Sequence, residues 1–184
     1  MPRRPLQYKQ IKDERKFSIL ESALPLFAIY NKDVSIDMIC QKAKCSHGLV
    51  YHYFKNADQI YNELLKSDTY NDLLNSLLIN PDEEAYPQIT NLVRQLLDII
   101  NDSKVTISFA LIIIANKDKK SFYDNFCKLV QKGQKEGAVT GGVPSDIVST
   151  FFLTLRGLYL TLLNQKHPDI KVPSIDNILQ IFER

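Results

Sequence analysis

An all-α fold is what this 184-residue sequence predicts, on three observations. Apolar residues recur at three- and four-residue spacing in one segment after another. Ser and Asn stand ahead of several of those segments, where a helix start needs a side-chain acceptor. With 6 glycines and 8 prolines, the chain lacks the turn-separated alternating runs of a sheet protein. A composition 45% hydrophobic and 24% charged is that of a globular chain, which leaves the disordered and fibrous classes without support.

From about Lys12 to Tyr30, the residues Ile19, Leu20, Ala23, Leu24 and Phe27 define a first helix. Pro25 lies inside it and removes one backbone donor, so a kink or a strained last turn is expected there. Ser35 then caps a short second helix, with Asp37 in its first turn and Ile36, Ile39, Cys40 and Ala43 along one stripe. Ser46 caps a third, whose inward face is Leu49, Val50, Tyr53 and Phe54. Asn56 caps a fourth, with Ile60, Leu64 and Leu65 on its apolar side. Short second and third helices joined by a tight turn have the layout of a helix-turn-helix.

The run Asn80-Pro81-Asp82-Glu83-Glu84 breaks the helical pattern. Beyond it, Ile89, Leu92, Val93, Leu96, Leu97 and Ile100 share a face opposite Arg94, Gln95 and Asp98. Phe109 to Ala115 suits a buried strand or a buried helix by periodicity; with no partner strand in sight, a helix is expected. Phe122, Phe126, Leu129 and Val130 mark another helix, ended by the run from Gly133 to Gly142. Val148, Phe151, Phe152, Leu155, Leu158, Tyr159 and Leu162 make a long helix apolar over most of its circumference, and Ile175, Ile178, Leu179 and Phe182 a last one. The expected organisation is an N-terminal three-helix domain with its helix-turn-helix at 1–66, and a helical domain at 67–184 whose long, all-round apolar helix suits dimerisation.

Charge is uneven. Residues 1–66 hold 11 Lys and Arg against 7 Asp and Glu, whereas the remainder holds 12 against 14, within a net charge of +2. A basic front half suits contact with phosphate. Three cysteines without framework spacing suggest reduced thiols and a cytoplasmic setting. MPRRPLQYKQ has no apolar stretch behind it and does not read as a signal peptide. The apolar run Ile147 to Leu163 is expected to fall short of a membrane span, and it carries Arg156, so no membrane partner is expected.

The motifs Ile19-Leu20-x-x-Ala23-x-x-x-Phe27, Ser35-x-x-x-Ile39-x-x-x-Ala43 and Ser46-x-Gly48-x-x-Tyr51-His52-Tyr53-Phe54 carry a resemblance. Over Ile19 to Ile60 the chain resembles the TetR family of bacterial transcriptional regulators. The resemblance implies DNA contact at Ser35, Ser46, His47, Gly48, Tyr51, His52 and Lys55, with Leu49, Val50 and Phe54 packing inward. It further implies a homodimer on a palindromic, inverted-repeat operator of double-stranded DNA, acting as a repressor and released by a small-molecule effector. The chain departs from the family where it has Tyr30-Asn31 near a usual glycine, Lys44 at a usual turn glycine, and His47 and Ala57 at common lysines.

The residues themselves support that role. An exposed helix start offers unpaired N–H groups to phosphate. Gly48 admits close backbone approach, and His47, Tyr51 and His52 bring donors and acceptors to base edges or phosphates. Arg3, Arg4, Lys9 and Lys12, read as lying ahead of the first helix, suit either a basic arm along the DNA backbone or a solvated terminus.

Other readings are weaker. Cys40-x4-Cys45-x-His47-x4-His52 matches no common zinc spacing, and no metal or cofactor is implied. Thiol sensing through Cys127 or Cys45 competes with plain core filling. Without a glycine-rich phosphate loop, a GxSxG elbow or an HExxH pair, the chain does not read as an enzyme; His167 beside Pro168 reads as a loop residue. Phe109, Phe122, Tyr123, Phe126, Phe152 and Tyr159 are the candidate effector pocket, weighed against plain core. Phe151, Leu155, Leu158, Leu162, Ile178 and Phe182 are the candidate dimer interface. The rival from another class is a ligand-carrying or protein-interaction bundle with a degenerate DNA-binding motif.

Overall fold

The computed structural model describes residues 5–101, 104–115, 122–164 and 171–183, and side chains within 14–100, 104–115, 122–163 and 171–183. These residues form ten α-helices and no strand. The helices are α1 (Pro5–Tyr30), α2 (Ile36–Ala43), α3 (His47–Tyr53), α4 (Ala57–Leu64), α5 (Asp68–Ser76), α6 (Ala85–Asp98), α7 (Lys104–Ala115), α8 (Phe122–Lys135), α9 (Pro144–Asn164) and α10 (Ile175–Leu179). They divide into two compact units, 1–71 and 72–184, with α5 spanning the division.

In the first unit α1 packs on α2 and α4, and α2 on α3. Its core is Ile19, Ala23, Leu24, Phe27, Ala28, Val34, Ile39, Val50, Phe54 and Ile60, all buried. The helix starts read from the sequence are capped as expected. Ser35 Oγ accepts from Met38 N at 3.2 Å, Ser46 Oγ from Leu49 N at 3.3 Å and Asn56 Oδ1 from Gln59 N at 2.9 Å. Each such bond satisfies a donor the helix cannot, and stabilises its first turn by about 1 kcal/mol.

The first helix begins earlier than its apolar pattern, at Pro5, so Lys9 and Lys12 lie within it and not ahead of it. Their side chains, like Arg3, Arg4 and His167, lie outside the described residues. The helix runs through Pro25 as one element. It ends at Asn31, which takes φ +52°, the left-handed conformation for which Asn is suited. Lys16 Nζ ties α1 to α4 by donating to the Glu63 carboxylate and sits 5.8 Å from the centre of the Phe54 ring. That hydrogen bond, opposed by partial burial, holds the Glu63 carboxyl below the usual carboxylate range.

The second unit packs α8 on α6 and α9, α7 on α9, and α10 on α6. The ambiguous run Phe109 to Ala115 is helical, and all of Ile107–Ile114 is buried. α5 was not foreseen, its residues being more polar than apolar. The turn at Asn80–Glu84 belongs to the second unit, where Lys132 Nζ donates to the Pro81 carbonyl at 2.6 Å. Gly133 does not end its helix, because α8 continues to Lys135. A Cβ there would stand 2.4 Å from Val139 Cγ2 and 3.3 Å from Ala85 Cβ, so glycine is what lets the following turn fold back onto the helix.

α9 is longer than the sequence reading held: Pro144–Leu163 is, by length and composition, long and apolar enough to cross a membrane, with mean hydropathy 1.4. Val148, Phe151, Leu155 and Tyr159 are completely buried in the protein's own core. The last helix covers only Ile175–Leu179; Phe182 follows in a turn and still reaches the core.

Candidate nucleic-acid interface and effector cavity

α3 is a seven-residue helix held by an inward edge and open on the other side. Val50 and the C-cap Phe54 are fully buried, Leu49 and Tyr53 partly so. His47, Gly48, Tyr51 and His52, at steps of one and four residues, share the outward face and are all exposed. Tyr51 has 57% of its surface free. The predicted contact residues Ser46 and Lys55 flank this stripe and are exposed too, as is Ser35 at the start of α2. A Cβ on Gly48 would meet only Ser46 Oγ, at 4.0 Å. The fold itself does not need a glycine there, so the bare backbone is space left on the outer surface.

One residue beside this face was missed, Asp37. Asp37 Oδ1 lies 2.5 Å from His47 Nε2, bridging α2 and α3 across an exposed surface. The His47 ring is thereby held in place, and one of its nitrogens is already engaged. The signal was present in the sequence, since Asp37 stands in the first turn of α2, but a pair ten residues apart needs the turn geometry to bring it together. That geometry depends on Lys44, with φ +51° and ψ +47°, so lysine adopts the left-handed conformation glycine would take more readily. The thiols and imidazoles do not converge as a metal site: among the described residues, no group of three or more His, Cys, Asp or Glu can hold a metal ion.

In the second unit a half-open cavity of about 290 Å³ is lined by Ile114, Ala115, Tyr123, Ser149, Phe152, Leu153 and Arg156. Of the six aromatic residues predicted to line a pocket, Tyr123 and Phe152 line this one. Phe126 and Tyr159 are wholly buried and Phe109 and Phe122 nearly so, serving as core. The Tyr159 hydroxyl donates to the Leu96 carbonyl of α6, and burial pushes its ionisation far above the usual tyrosine value. Ser149, Leu153 and Arg156 were missed. They share one face with Phe152 on a helix dominated by its apolar residues, in which Arg156 was the one available signal. Tyr123 Oη meets Ser149 Oγ at 2.9 Å and donates to the Ser145 carbonyl at 3.1 Å, giving the cavity a polar end beside its apolar wall.

The residues expected at a dimer interface are mostly internal. Phe151, Leu155, Ile178 and Phe182 are buried within the protomer and have no surface to offer, and Leu158 retains 9%. Leu162 is half-buried. The open side of α9 instead carries Thr150, Leu153, Thr154 and Gly157. The hydroxyls of Thr150, Thr154 and Thr161 donate to the carbonyls four residues earlier, each at 2.9 Å. Their hydrogen-bonding capacity is therefore largely met inside the helix, leaving methyl groups for its surface.

No family model matches the sequence. The chain is 25% identical to the uncharacterised HTH-type transcriptional regulator YhgD of Bacillus subtilis (strain 168), over 92% of this chain and 94% of the relative. Among solved structures, SCO3833, a TetR transcriptional regulator family member from Streptomyces coelicolor A3, superposes with a TM-score of 0.56 at 14% identity. That match covers 89% of each chain. The SmeT–triclosan complex superposes with a TM-score of 0.52 at 14% identity, covering 93% of this chain and 92% of that one. The fold is that of the TetR-family regulators.

Proposed function

We propose that this chain, which has the TetR-family regulator fold, is a cytoplasmic, homodimeric repressor that binds an inverted-repeat operator and is released by a small molecule. The observation that carries the DNA role is the outward face of α3. His47, Gly48, Tyr51 and His52 are exposed and dispensable to the core, while Val50 and Phe54 anchor the helix from behind. A dimer would set two such helices in successive major grooves, about 34 Å apart. Near-full-length similarity to an HTH-type regulator favours this reading over a helical carrier with a decayed motif. We assign the chain no catalytic role.

Selection on random duplex DNA, followed by titration in rising salt, tests the proposal. An inverted repeat should emerge, and affinity should fall by orders of magnitude between low and moderate salt if several phosphates are contacted. Shallow salt dependence without sequence preference would overturn it.

For the dimer, the exposed side of α9 replaces the face expected from sequence. It is nearly free of charge, Leu153 is 69% exposed, and Gly157 has nothing within 4 Å of a would-be Cβ, which leaves room for another helix. Leu153→Arg should shift the protein from dimer to monomer in sedimentation and weaken operator binding with it. A dimer that survives this change would place the interface elsewhere.

The Tyr123–Ser149–Arg156 cavity is the proposed effector site. Its apolar wall, with the Tyr123 and Ser149 hydroxyls together and Arg156 in the lining, suits a small amphipathic molecule. A relative of this fold solved with triclosan makes a small-molecule ligand reasonable here.

A further inference from the structure

The end of α2 and the turn that follows hold two cysteines, Cys40 and Cys45, that DNA reading does not use. Lys44 N donates to the Gln41 carbonyl at 3.4 Å and Cys45 N to the Cys40 carbonyl at 3.0 Å, around a left-handed Lys44. That pair of bonds is the Schellman ending of a helix, which brings the residue just beyond the turn against the one three places before the cap. The contact is ordinarily between apolar side chains, and here it is between two thiols. Burial, with Cys45 and Asp37 nearby, pushes the Cys40 thiol up. Cys40 is buried and Cys45 partly exposed. Both line an open recess with Asp37, Gln41, Lys44, Ser46 and His47.

We propose that Cys40 and Cys45 form a thiol–disulfide site that reacts with low-molecular-weight disulfides and closes an intramolecular bridge across the helix-turn-helix. The more exposed Cys45 sulfur, as thiolate, attacks one sulfur of the reagent, forming a mixed disulfide and expelling the first thiolate. Cys40, on losing its proton, attacks the Cys45 sulfur of that mixed disulfide and expels the second. Each leaving thiolate takes up a proton. Two thiols are oxidised to one disulfide, and one reagent disulfide is reduced to two thiols. The bridge ends one residue before Ser46, whose Oγ and carbonyl hold the first turn of α3 through Leu49 N and Val50 N. The position of the outward face therefore depends on which redox form is present. Its regulatory consequence rests on the DNA reading proposed above, whereas the chemistry does not.

The test is incubation of the full chain with oxidised glutathione, quenching, and peptide mapping. Lys42 and Lys44 lie between the two cysteines, so trypsin separates them onto different peptides unless they are bridged. The expected result is a Cys40–Cys45 linked pair and an intact mass lower by two hydrogens, with Cys127 unpaired. Cys40→Ala, or Cys40→Ser should alanine not fold, should instead accumulate the glutathione adduct on Cys45. A wild-type chain that stops at the adduct, fails to react at either residue, or bridges to Cys127 would overturn the proposal. On the selected duplex the bridged form should bind at least about tenfold more weakly and recover with reductant. Equal affinity of the two forms would overturn the regulatory half. Absence of binding already in the reduced form would count against the DNA reading alone, because the mapping decides the thiol site separately.

Discussion

α3 and α9 both carry aromatic side chains, and they turn them in opposite directions. On α3, Tyr51 and His52 face solvent, while the buried anchors are Val50 and the capping Phe54. On α9, Phe151 and Tyr159 are fully buried, with the Phe151 ring 5.3 Å from Phe182 and 5.5 Å from Phe126. Leaving an aromatic ring in water gains nothing for folding, so a helix that does so while anchored elsewhere has that face free for a partner. A helix that encloses its aromatic residues has committed them to the fold.

The sharpest break between the two helices should come from truncation. Phe151→Ala removes a ring that contacts Phe126, Phe152 and Phe182 in a site with no solvent access, and should cost about 3–5 kcal/mol. A urea unfolding midpoint barely changed from wild type would show that Phe151 is not the core residue described here. The same truncation on α3 should move a different quantity. Tyr51→Ala should leave stability within about 0.5 kcal/mol, because the side chain is mostly exposed. It should weaken binding to the selected duplex by about 1–3 kcal/mol, the range of a good base contact. If Tyr51→Ala instead unfolds the domain, the contrast between the helices fails.

That contrast also accounts for what could be read from the sequence. The first unit was legible because its signals are local. Ser35, Ser46 and Asn56 each cap a helix through a residue three positions on, and Asn31 takes the left-handed turn within its own segment. The His47–Asp37 pair was not legible, since it depends on the angle between two helices. In α9 the apolar residues were identified correctly, but periodicity cannot say what covers a helix that is apolar nearly all round. Phe151 and Leu155, expected at a partner, are fully buried within the chain, Phe151 against Phe126 of α8 and Phe182. The exposed stripe at Thr150, Leu153, Thr154 and Gly157 was overlooked because threonines read as polar until their hydroxyls are seen bonded to the helix backbone. The cavity lining is harder to read for a related reason: beside the aromatic Tyr123 and Phe152 it includes Ser149 and Arg156, which periodicity does not single out.

A smaller effect separates core from cavity within the second unit. Tyr159 was read as a ligand contact, but its hydroxyl is buried on the Leu96 carbonyl. Tyr159→Phe should therefore cost about 1–2 kcal/mol in stability, the worth of a buried hydrogen bond, without changing effector affinity. Tyr123→Phe acts on the cavity and should change effector affinity more than stability. The reverse pattern would move the binding site to Tyr159.

The smallest effect concerns the turn that aims α3. A left-handed conformation costs a non-glycine residue about 1–2 kcal/mol, and glycine would return about 0.5–1 kcal/mol of that through its greater freedom when unfolded. Lys44→Gly should accordingly stabilise the first unit by about 0.5–1 kcal/mol, seen as a modest rise in its unfolding midpoint. Both Schellman bonds and the contact between Cys40 and Cys45 would be retained, because they are made by backbone and neighbouring side chains. If the change destabilises the unit, the Lys44 side chain is supplying more than the turn, and the exposed basic group beside Asp37 and His47 becomes part of the surface that holds α3 in register.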